Sequence, residues 1–226
     1  MNTRLVTVFG GSGFLGRHTV RALARADWRI KVATRHPGRG FFLRPLGTVG
    51  QIDFVKCDVA DAESVAAAVM GSSAVINLTG ILFQSGQTFE DVQADGAANI
   101  AQAAAAAGVT SLVHVSAIGA NAESDSDYAV TKAQGEAAVR ETYPNAVILR
   151  PSIIFGPEDG FFNKFAQMAR FFPALPLMAA ARPASSRCSW ATWRRPSRPA
   201  WTAPTRAAAH MNWAARRLIP SRNCCN

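Results

Sequence analysis

Apolar and polar positions alternate in a regular order along the first three quarters of the chain. Short runs rich in β-branched residues, typical of buried strands, are separated by stretches with the apolar spacing of amphipathic helices. The predicted strands are residues 5–9, 30–34, 52–56, 74–78, 111–116 and 146–149, and the predicted helices are residues 14–26, 61–70, 96–107 and 127–142. This alternation predicts an α/β fold, with a doubly wound parallel sheet and helices on both of its faces.

Three glycines follow the first predicted strand at intervals of three residues, at positions 10, 13 and 16. We expect Gly10 to permit a tight turn, Gly13 to let the backbone approach a ligand, and Gly16 to let the helix pack closely. The free N–H groups at the start of this helix, which include Phe14 and Leu15, suit a pyrophosphate. This strand–turn–helix context predicts a Rossmann-type dinucleotide-binding domain. A glycine-rich turn without a ligand is the alternative.

The second predicted strand ends without the acidic residue that usually binds the ribose 2′-hydroxyl of NAD. Arg35 stands there instead, with Arg39 close by in the sequence. Because a guanidinium fork suits a phosphate group, this pattern favours NADP(H) over NAD(H). The alternative is a solvated surface arginine that binds no ligand.

Further candidate cofactor ligands follow the third and fourth predicted strands. Asp58 and Val59 come after the third strand, where an aspartate can accept a hydrogen bond from the adenine amino group. Leu78, Thr79 and Gly80 close the fourth strand and are expected to pass beneath the cofactor.

Ser116, Tyr128 and Lys132 are the candidate catalytic residues. Ser116 ends the fifth predicted strand, and Tyr128 and Lys132 are four residues apart on the next predicted helix, so they share one face. We expect a neighbouring ammonium and an oxidised nicotinamide to lower the pKa of the tyrosine, whose reference value is about 10. Tyr128 and Lys132 are also candidate cofactor ligands, since Lys132 can hold the ribose hydroxyls, and Ser116 can bind the substrate oxygen. An ordinary surface tyrosine and lysine are the alternative.

Charge and tryptophan are concentrated near the C-terminal end of the sequence. The formal net charge is +9, but residues 179–226 contain nine arginines and no Asp, Glu or Lys, so the preceding part is formally neutral. The same segment holds four of the five tryptophans and three of the four cysteines, without a helix or strand period. We therefore predict a dinucleotide-binding domain over residues 1–177 and an irregular, disordered tail over residues 178–226.

The tail has the composition of GC-rich DNA read in a shifted frame. Reading residues 188–194 one base earlier can give Val-Phe-Val-Gly-Asp-Val-Ala, and the same shift over residues 209–216 can give Thr-Tyr-Glu-Leu-Gly-Gly-Pro. The tail is therefore interpreted as a frameshift product. The alternative is a Trp/Arg-rich segment that stacks on single-stranded nucleic acid or lies at a membrane surface.

The spacing of the cysteines and the lengths of the apolar runs indicate where in the cell the protein is expected. The four cysteines lack the spacing of a disulfide framework or a zinc site, so no metal ligands are predicted. No uninterrupted apolar run reaches the roughly 20 residues needed to cross a bilayer, and no signal peptide is recognised. These observations predict an intracellular protein with reduced thiols.

Taken together, the motifs resemble the extended or atypical branch of the short-chain dehydrogenase/reductase superfamily, over about residues 3–177. They are Gly10-x-x-Gly13-x-x-Gly16, Asp58-Val59, Ser116, Tyr128-x-x-x-Lys132 and the segment 149–157 with its Arg150-Pro151 pair. The segments 114–120 and 150–159 are most similar to the nucleotide-binding accessory subunit of respiratory complex I and its bacterial homologues. The resemblance adds Pro151 as a candidate cofactor ligand. It also implies that the family's C-terminal substrate domain is truncated here or replaced by the tail.

The resemblance implies a tightly held NADPH and a supporting or quinone-linked role, with complex I or another membrane-associated assembly as partner. The implied location is the cytoplasm or the inner face of a membrane, without a specific nucleic-acid partner and with the substrate unassigned. The catalytic alternative is an NAD(P)-dependent nucleotide-sugar epimerase/dehydratase or reductase that uses the Tyr128/Lys132 pair.

Overall fold

A six-stranded parallel sheet forms the centre of the computed structural model, which describes residues 4–84, 86–152, 154–156 and 188–189. The sheet strands are β1 (Leu5–Phe9), β2 (Arg29–Thr34), β3 (Ile52–Lys56), β4 (Ala74–Asn77), β5 (Ser111–Val115) and β6 (Val147–Leu149). The helices are α1 (Phe14–Arg25), α2 (Ala62–Val69), α3 (Gly96–Ala106) and α4 (Asp127–Thr142). The strands lie in the order β3-β2-β1-β4-β5-β6, and every neighbouring pair is parallel. The predicted fold class is confirmed.

Helices cover both faces of the sheet, which is why its strands are apolar on both sides. On one face, Val6 and Val8 of β1 belong to a core cluster that includes Val20 and Leu23 of α1. On the other face, Phe9 belongs to a second cluster, built with residues of α2, α3 and α4. Burial on both faces therefore holds β1 at the centre of the fold.

The order of strands reverses between β1 and β4, which lie side by side. The chain runs outward from β1 to β2 and β3, then crosses to β4 and continues outward to β5 and β6. In open parallel sheets, ligands bind beyond the carboxyl ends of the strands at such a switch point. The glycine turn after β1 and the segment after β4 both lie at this place.

The predicted helix and strand bounds agree with the observed ones to within one residue at each end. Two helical elements were not predicted: a 3₁₀ helix at Pro37–Leu46 and a π-helical turn at Glu90–Asp95. Neither has the regular apolar spacing of an α-helix, so the hydrophobic pattern does not reveal them. Within the described ranges, no helix is both long and apolar enough to cross a bilayer.

The structure describes two residues of the predicted irregular tail. Cys188–Ser189 forms a two-residue strand, β8, that pairs in parallel with β7 (Ile154–Phe155). So short a pairing depends on backbone hydrogen bonds and needs no side-chain period, which is why the pattern gave no sign of it. The rest of the predicted tail lies outside the described residues.

Candidate dinucleotide-binding site

The turn between β1 and α1 has no room for side chains at two of its glycines. Gly10 has φ +73°, and a Cβ there would lie 3.0 Å from the carbonyl carbon of Leu78. A Cβ on Gly16 would lie 2.3 Å from the carbonyl oxygen of Gly10, well inside van der Waals contact. At exposed Gly13, by contrast, the nearest atom to an added Cβ is the Gly10 oxygen at 3.3 Å. Gly10 and Gly16 therefore fix the turn, while Gly13 leaves its outer surface open.

The start of α1 is built to receive an anion. Gly13 is its N-cap and supplies no side-chain hydrogen bond, and the first turn has no acidic residue. The N–H of Gly13 donates to the Gly10 carbonyl at 3.0 Å, and the Gly13 carbonyl accepts from the N–H of Arg17. The N–H groups of Phe14 and Leu15 lie in this uncapped first turn, where the helix dipole favours negative charge. These residues fit a dinucleotide diphosphate.

Arg35 and Asp58 lie just beyond the carboxyl ends of β2 and β3, on neighbouring strands. Gln87, which the sequence analysis missed, joins them. Its Nε2 donates to both carboxylate oxygens of Asp58, at 2.8 and 3.1 Å, and its Oε1 accepts from Arg35 Nη1. Val59, next to Asp58, accepts at its carbonyl from Asn99 Nδ2 at 3.0 Å. The predicted adenosine-binding residues therefore lie together at one edge of the sheet.

The segment after β4 runs beside the glycine turn. The N–H of Leu78 donates to the Phe9 carbonyl at 3.0 Å, which continues the β1–β4 pairing past the strand end. Thr79 donates twice to Asn77 Oδ1, from its N–H at 2.9 Å and from its hydroxyl at 2.6 Å. A Cβ on Gly80 would lie 3.1 Å from Lys132 Nζ. This segment therefore links the glycine turn to the candidate catalytic residues.

Lys132 is buried, and its ammonium group is directed at the backbone of two strand ends. Nζ donates to the Thr79 carbonyl at 3.3 Å and to the Val115 carbonyl at 3.5 Å. Burial lowers the pKa of Lys132 to about 8, and the negative charge of Glu136 opposes that shift. The ammonium can thus lose its proton under mildly alkaline conditions.

The predicted lowering of the Tyr128 pKa depends on an oxidised nicotinamide beside the phenol and remains a prediction. Burial raises the pKa of its phenol above the ordinary value. Its ring packs edge-on against Phe89 at a centroid distance of 5.9 Å, while the Lys132 ammonium donates to backbone carbonyls. A phenol shielded in this way favours its neutral form.

Ser116 lies next to a buried ion pair that the sequence analysis also missed. Glu136 is only 4% exposed, and it accepts from Arg150 Nε at 2.7 Å and from Arg150 Nη2 at 2.6 Å. Burial raises the pKa of Glu136, but Arg150, the nearby Ser116 hydroxyl and the charge of Arg140 together lower it below its ordinary value. The Ser116 hydroxyl is buried beside the Glu136 carboxylate and forms a hydrogen bond that helps to lower the pKa of Glu136.

Pro151 follows Arg150 directly, and its carbonyl accepts from the N–H of Ile118 at 3.0 Å. The predicted contact of Pro151 with a cofactor remains a prediction. In the structure, Pro151 lies beside the segment that follows Ser116.

A buried histidine completes the polar groups beneath the site. Asn77 Oδ1 accepts from Thr79, so Asn77 Nδ2 is the atom that donates to His114 Nδ1 at 3.0 Å. This places the proton of the neutral ring on Nε2. Burial, aided by the charge of Lys132, lowers the pKa of His114 to about 4. His114 is therefore uncharged at neutral pH.

The comparison with known families agrees with this geometry. A family model described as NAD(P)H-binding matches residues 10–161. The chain belongs to this NAD(P)H-binding family. The match begins at Gly10 and includes every candidate ligand from the glycine turn to Pro151. Within the described residues, no group of three or more His, Cys, Asp or Glu side chains could hold a metal ion.

Three curated relatives of this family member are informative. A mouse protein named NADH dehydrogenase [ubiquinone] 1 alpha subcomplex subunit 9, mitochondrial, is 41% identical over 77% of this chain and 47% of its own length. The Neurospora crassa NADH-ubiquinone oxidoreductase 40 kDa subunit is 35% identical over 72% of this chain and 44% of its own. A Caulobacter vibrioides ceramide reductase is 36% identical over 77% of this chain and 54% of its own. The chain thus spans about half the length of the curated relatives it matches.

Solved structures give the same fold for this NAD(P)H-binding chain. A dTDP-glucose 4,6-dehydratase from Streptomyces venezuelae has a TM-score of 0.65 and 23% identity, over 81% of this chain and 67% of its own. Bordetella bronchiseptica WbmG, in complex with NAD, has a TM-score of 0.62 and 18% identity, over 75% of this chain and 60% of its own. The family match and the curated relatives confirm the resemblance to the NAD(P)H-binding complex I subunit, and the solved structures share the fold.

Proposed function

We propose that this NAD(P)H-binding chain holds NADP(H) as a tightly bound ligand, in an accessory role like that of the complex I subunit. The observation that carries the proposal is the uncapped start of α1 behind a turn that Gly10 and Gly16 keep free of side chains. The choice of the phosphorylated cofactor is supported by Arg35, which stands where an NAD site usually has an acidic residue.

Each part of the cofactor has residues suited to hold it. The N–H groups of α1 would bind the diphosphate, Arg35 the 2′-phosphate, and Asp58 the adenine amino group. Lys132 would hold the nicotinamide ribose beneath Thr79 and Gly80. When bound, NADP(H) supplies hydride chemistry, while the protein supplies position and charge.

The proposed partner is a respiratory complex I or another membrane-associated assembly. Relatives in mouse, Neurospora crassa and Dictyostelium discoideum carry names that place them in such an enzyme. On this proposal the chain is a peripheral protein on the inner face of the membrane, and it contributes a bound nucleotide.

The Arg35→Asp variant is expected to reverse the nucleotide preference. Denatured wild-type protein should release NADP(H), identified by mass, whereas the variant should release NAD(H), because a carboxylate repels the 2′-phosphate and accepts from a 2′-hydroxyl. The matched control is Arg29→Asp, an exposed arginine at the opposite end of the same strand. An unchanged nucleotide in Arg35→Asp would contradict the NADP(H) assignment, and no released nucleotide from folded wild-type protein would contradict the proposed binding.

A second candidate function is reduction of a carbonyl substrate. It is favoured by the buried Ser116 hydroxyl, which lies beside Glu136, and by the neutral Tyr128 phenol. The Caulobacter vibrioides relative is named as a reductase. On this proposal, Ser116 positions the substrate oxygen, Tyr128 donates its proton to that oxygen, and the Lys132 ammonium stabilises the phenolate that remains.

The Tyr128→Phe variant tests the second candidate. If the chain is a reductase, steady-state hydride transfer should fall about 100-fold or more while nucleotide affinity stays the same, because only the proton donor is lost. The control is Tyr143→Phe, at the end of the same helix, where the hydroxyl donates to the Val109 carbonyl at 2.6 Å. Equal rates in wild type and Tyr128→Phe would exclude this role for Tyr128.

A further inference from the structure

Gln87 connects Asp58 and Arg35, the two residues that are proposed to bind the adenosine half of the cofactor. One carboxamide group bridges Asp58, through Nε2, and Arg35, through Oε1. Arg35 follows β2, Asp58 follows β3, and Gln87 lies 29 residues beyond Asp58, after β4. Three separate parts of the chain therefore meet at this carboxamide.

The hydrogen bonds of Gln87 match those expected of an adenine ring. The carboxamide is an –NH₂ donor to a carboxylate, as is the exocyclic amino group of adenine. In the proposed function, on which this inference rests, Asp58 binds the adenine amino group. We propose that the Gln87 carboxamide occupies the position at Asp58 that this amino group requires. Gln87 is thus a specificity-determining residue, which competes with the base at Asp58 and with the 2′-phosphate at Arg35.

Hydrogen bonds hold the backbone next to Gln87 in place, so the side chain is the part that can move. The N–H of Thr88 donates to Asp91 Oδ2 at 2.8 Å, and the N–H of Asp91 donates to Thr88 Oγ1 at 3.1 Å. Nearby, buried Gln93 donates from Nε2 to the Ile81 carbonyl at 3.0 Å. These bonds anchor the segment to the π-helical turn. A bound adenosine would therefore displace the carboxamide by a rotation about the side-chain bonds of Gln87.

The test compares wild type with Gln87→Ala by isothermal titration calorimetry, after bound nucleotide has been removed from both proteins. The ligands are NAD⁺, NADP⁺ and nicotinamide hypoxanthine dinucleotide, whose base has no amino group at the position in question. The matched control is Gln84→Ala, an exposed glutamine in the same segment. Thermal unfolding of each variant verifies that the fold is retained.

Removing the competitor should strengthen binding of adenine nucleotides. NAD⁺ is expected to bind about fivefold more tightly to Gln87→Ala, which corresponds to one net hydrogen bond. NADP⁺ should gain about tenfold, because Arg35 is also released. Nicotinamide hypoxanthine dinucleotide should gain little, since its base carries a carbonyl oxygen where adenine has the amino group, and Gln84→Ala should change nothing.

Two results would overturn this role of Gln87. Unchanged affinities in folded Gln87→Ala would show that the carboxamide does not compete. Weaker NADP⁺ binding, with NAD⁺ unaffected, would show that Gln87 supports Arg35 instead of occupying it. A wild-type protein that binds none of the three nucleotides would overturn the proposed function, and this inference with it, which distinguishes the two failures.

Discussion

The Gly16→Val variant should lose nucleotide binding, and its free energy of unfolding should fall by roughly 2–4 kcal/mol. The reason is steric: a Cβ at this position would lie 2.3 Å from one backbone carbonyl oxygen and 2.5 Å from another, those of Gly10 and Gly11. Neither oxygen can move without opening the turn that shapes the start of α1. Urea unfolding gives the stability change, and calorimetry with NADP⁺ gives the binding change.

Variants at two further glycines distinguish an effect on stability from an effect on nucleotide binding. Gly38→Ala is the control for any glycine substitution, because a Cβ there meets nothing within 4 Å. Gly13→Val should keep most of the stability yet lose affinity, since Gly13 is exposed and faces the proposed diphosphate position. A Gly16→Val protein with wild-type stability and affinity would refute this description of the turn.

The Arg150→Met variant is expected to lower the free energy of unfolding by about 2–3 kcal/mol at neutral pH. The change leaves the buried Glu136 carboxylate without the guanidinium that donates to both of its oxygens. Arg150 is itself 49% exposed, so we expect less than the full effect of breaking a buried pair. Chemical denaturation at fixed pH measures the difference.

The control for Arg150 is Arg140→Met on α4. Arg140 is 65% exposed and lies 4.0 Å from the same carboxylate oxygen, so its loss should change stability by less than about 1 kcal/mol. If Arg140→Met cost as much as Arg150→Met, net charge rather than the buried pair would explain the effect.

The pH dependence of the Arg150→Met effect has a definite sign. In wild type the pKa of Glu136 lies below its ordinary value, so its stabilisation is complete above the unfolded value of about 4.3 and is lost as pH falls through the folded value. In Arg150→Met, burial would raise the pKa, so acidification protonates the stranded carboxylate and relieves its cost. The stability gap between the two proteins should therefore narrow as pH falls from 7 to about 4.

The glycine turn was predictable because its chemistry is local. Gly16 is required by backbone atoms of its own turn and Gly10 by its φ of +73°. A short apolar strand before them and an amphipathic helix after them are visible in the sequence. The same holds for the doubly wound parallel sheet, since alternating strands and helices allow few arrangements with right-handed crossovers.

The residues that were missed depend on contacts distant in sequence. Glu136, four residues before Arg140 on a helix, resembles an ordinary solvated pair, and only β6 brings Arg150 onto it. Gln87 lies in an irregular segment without a period, and its two partners come from other strands. The burial that raises the pKa of the Tyr128 phenol likewise cannot be read from the sequence pattern, because it depends on the packing of the fold.

The arginine that compensates Glu136 stands immediately after the last strand of the main sheet. A nascent chain that has emerged only as far as α4 carries the Glu136 carboxylate without its cation. Water must then solvate the carboxylate, and α4 cannot pack fully against the sheet. Stability should then increase abruptly when β6 leaves the ribosome. The order of translation thus makes packing of α4 against the sheet depend on a guanidinium that is added after the first five strands.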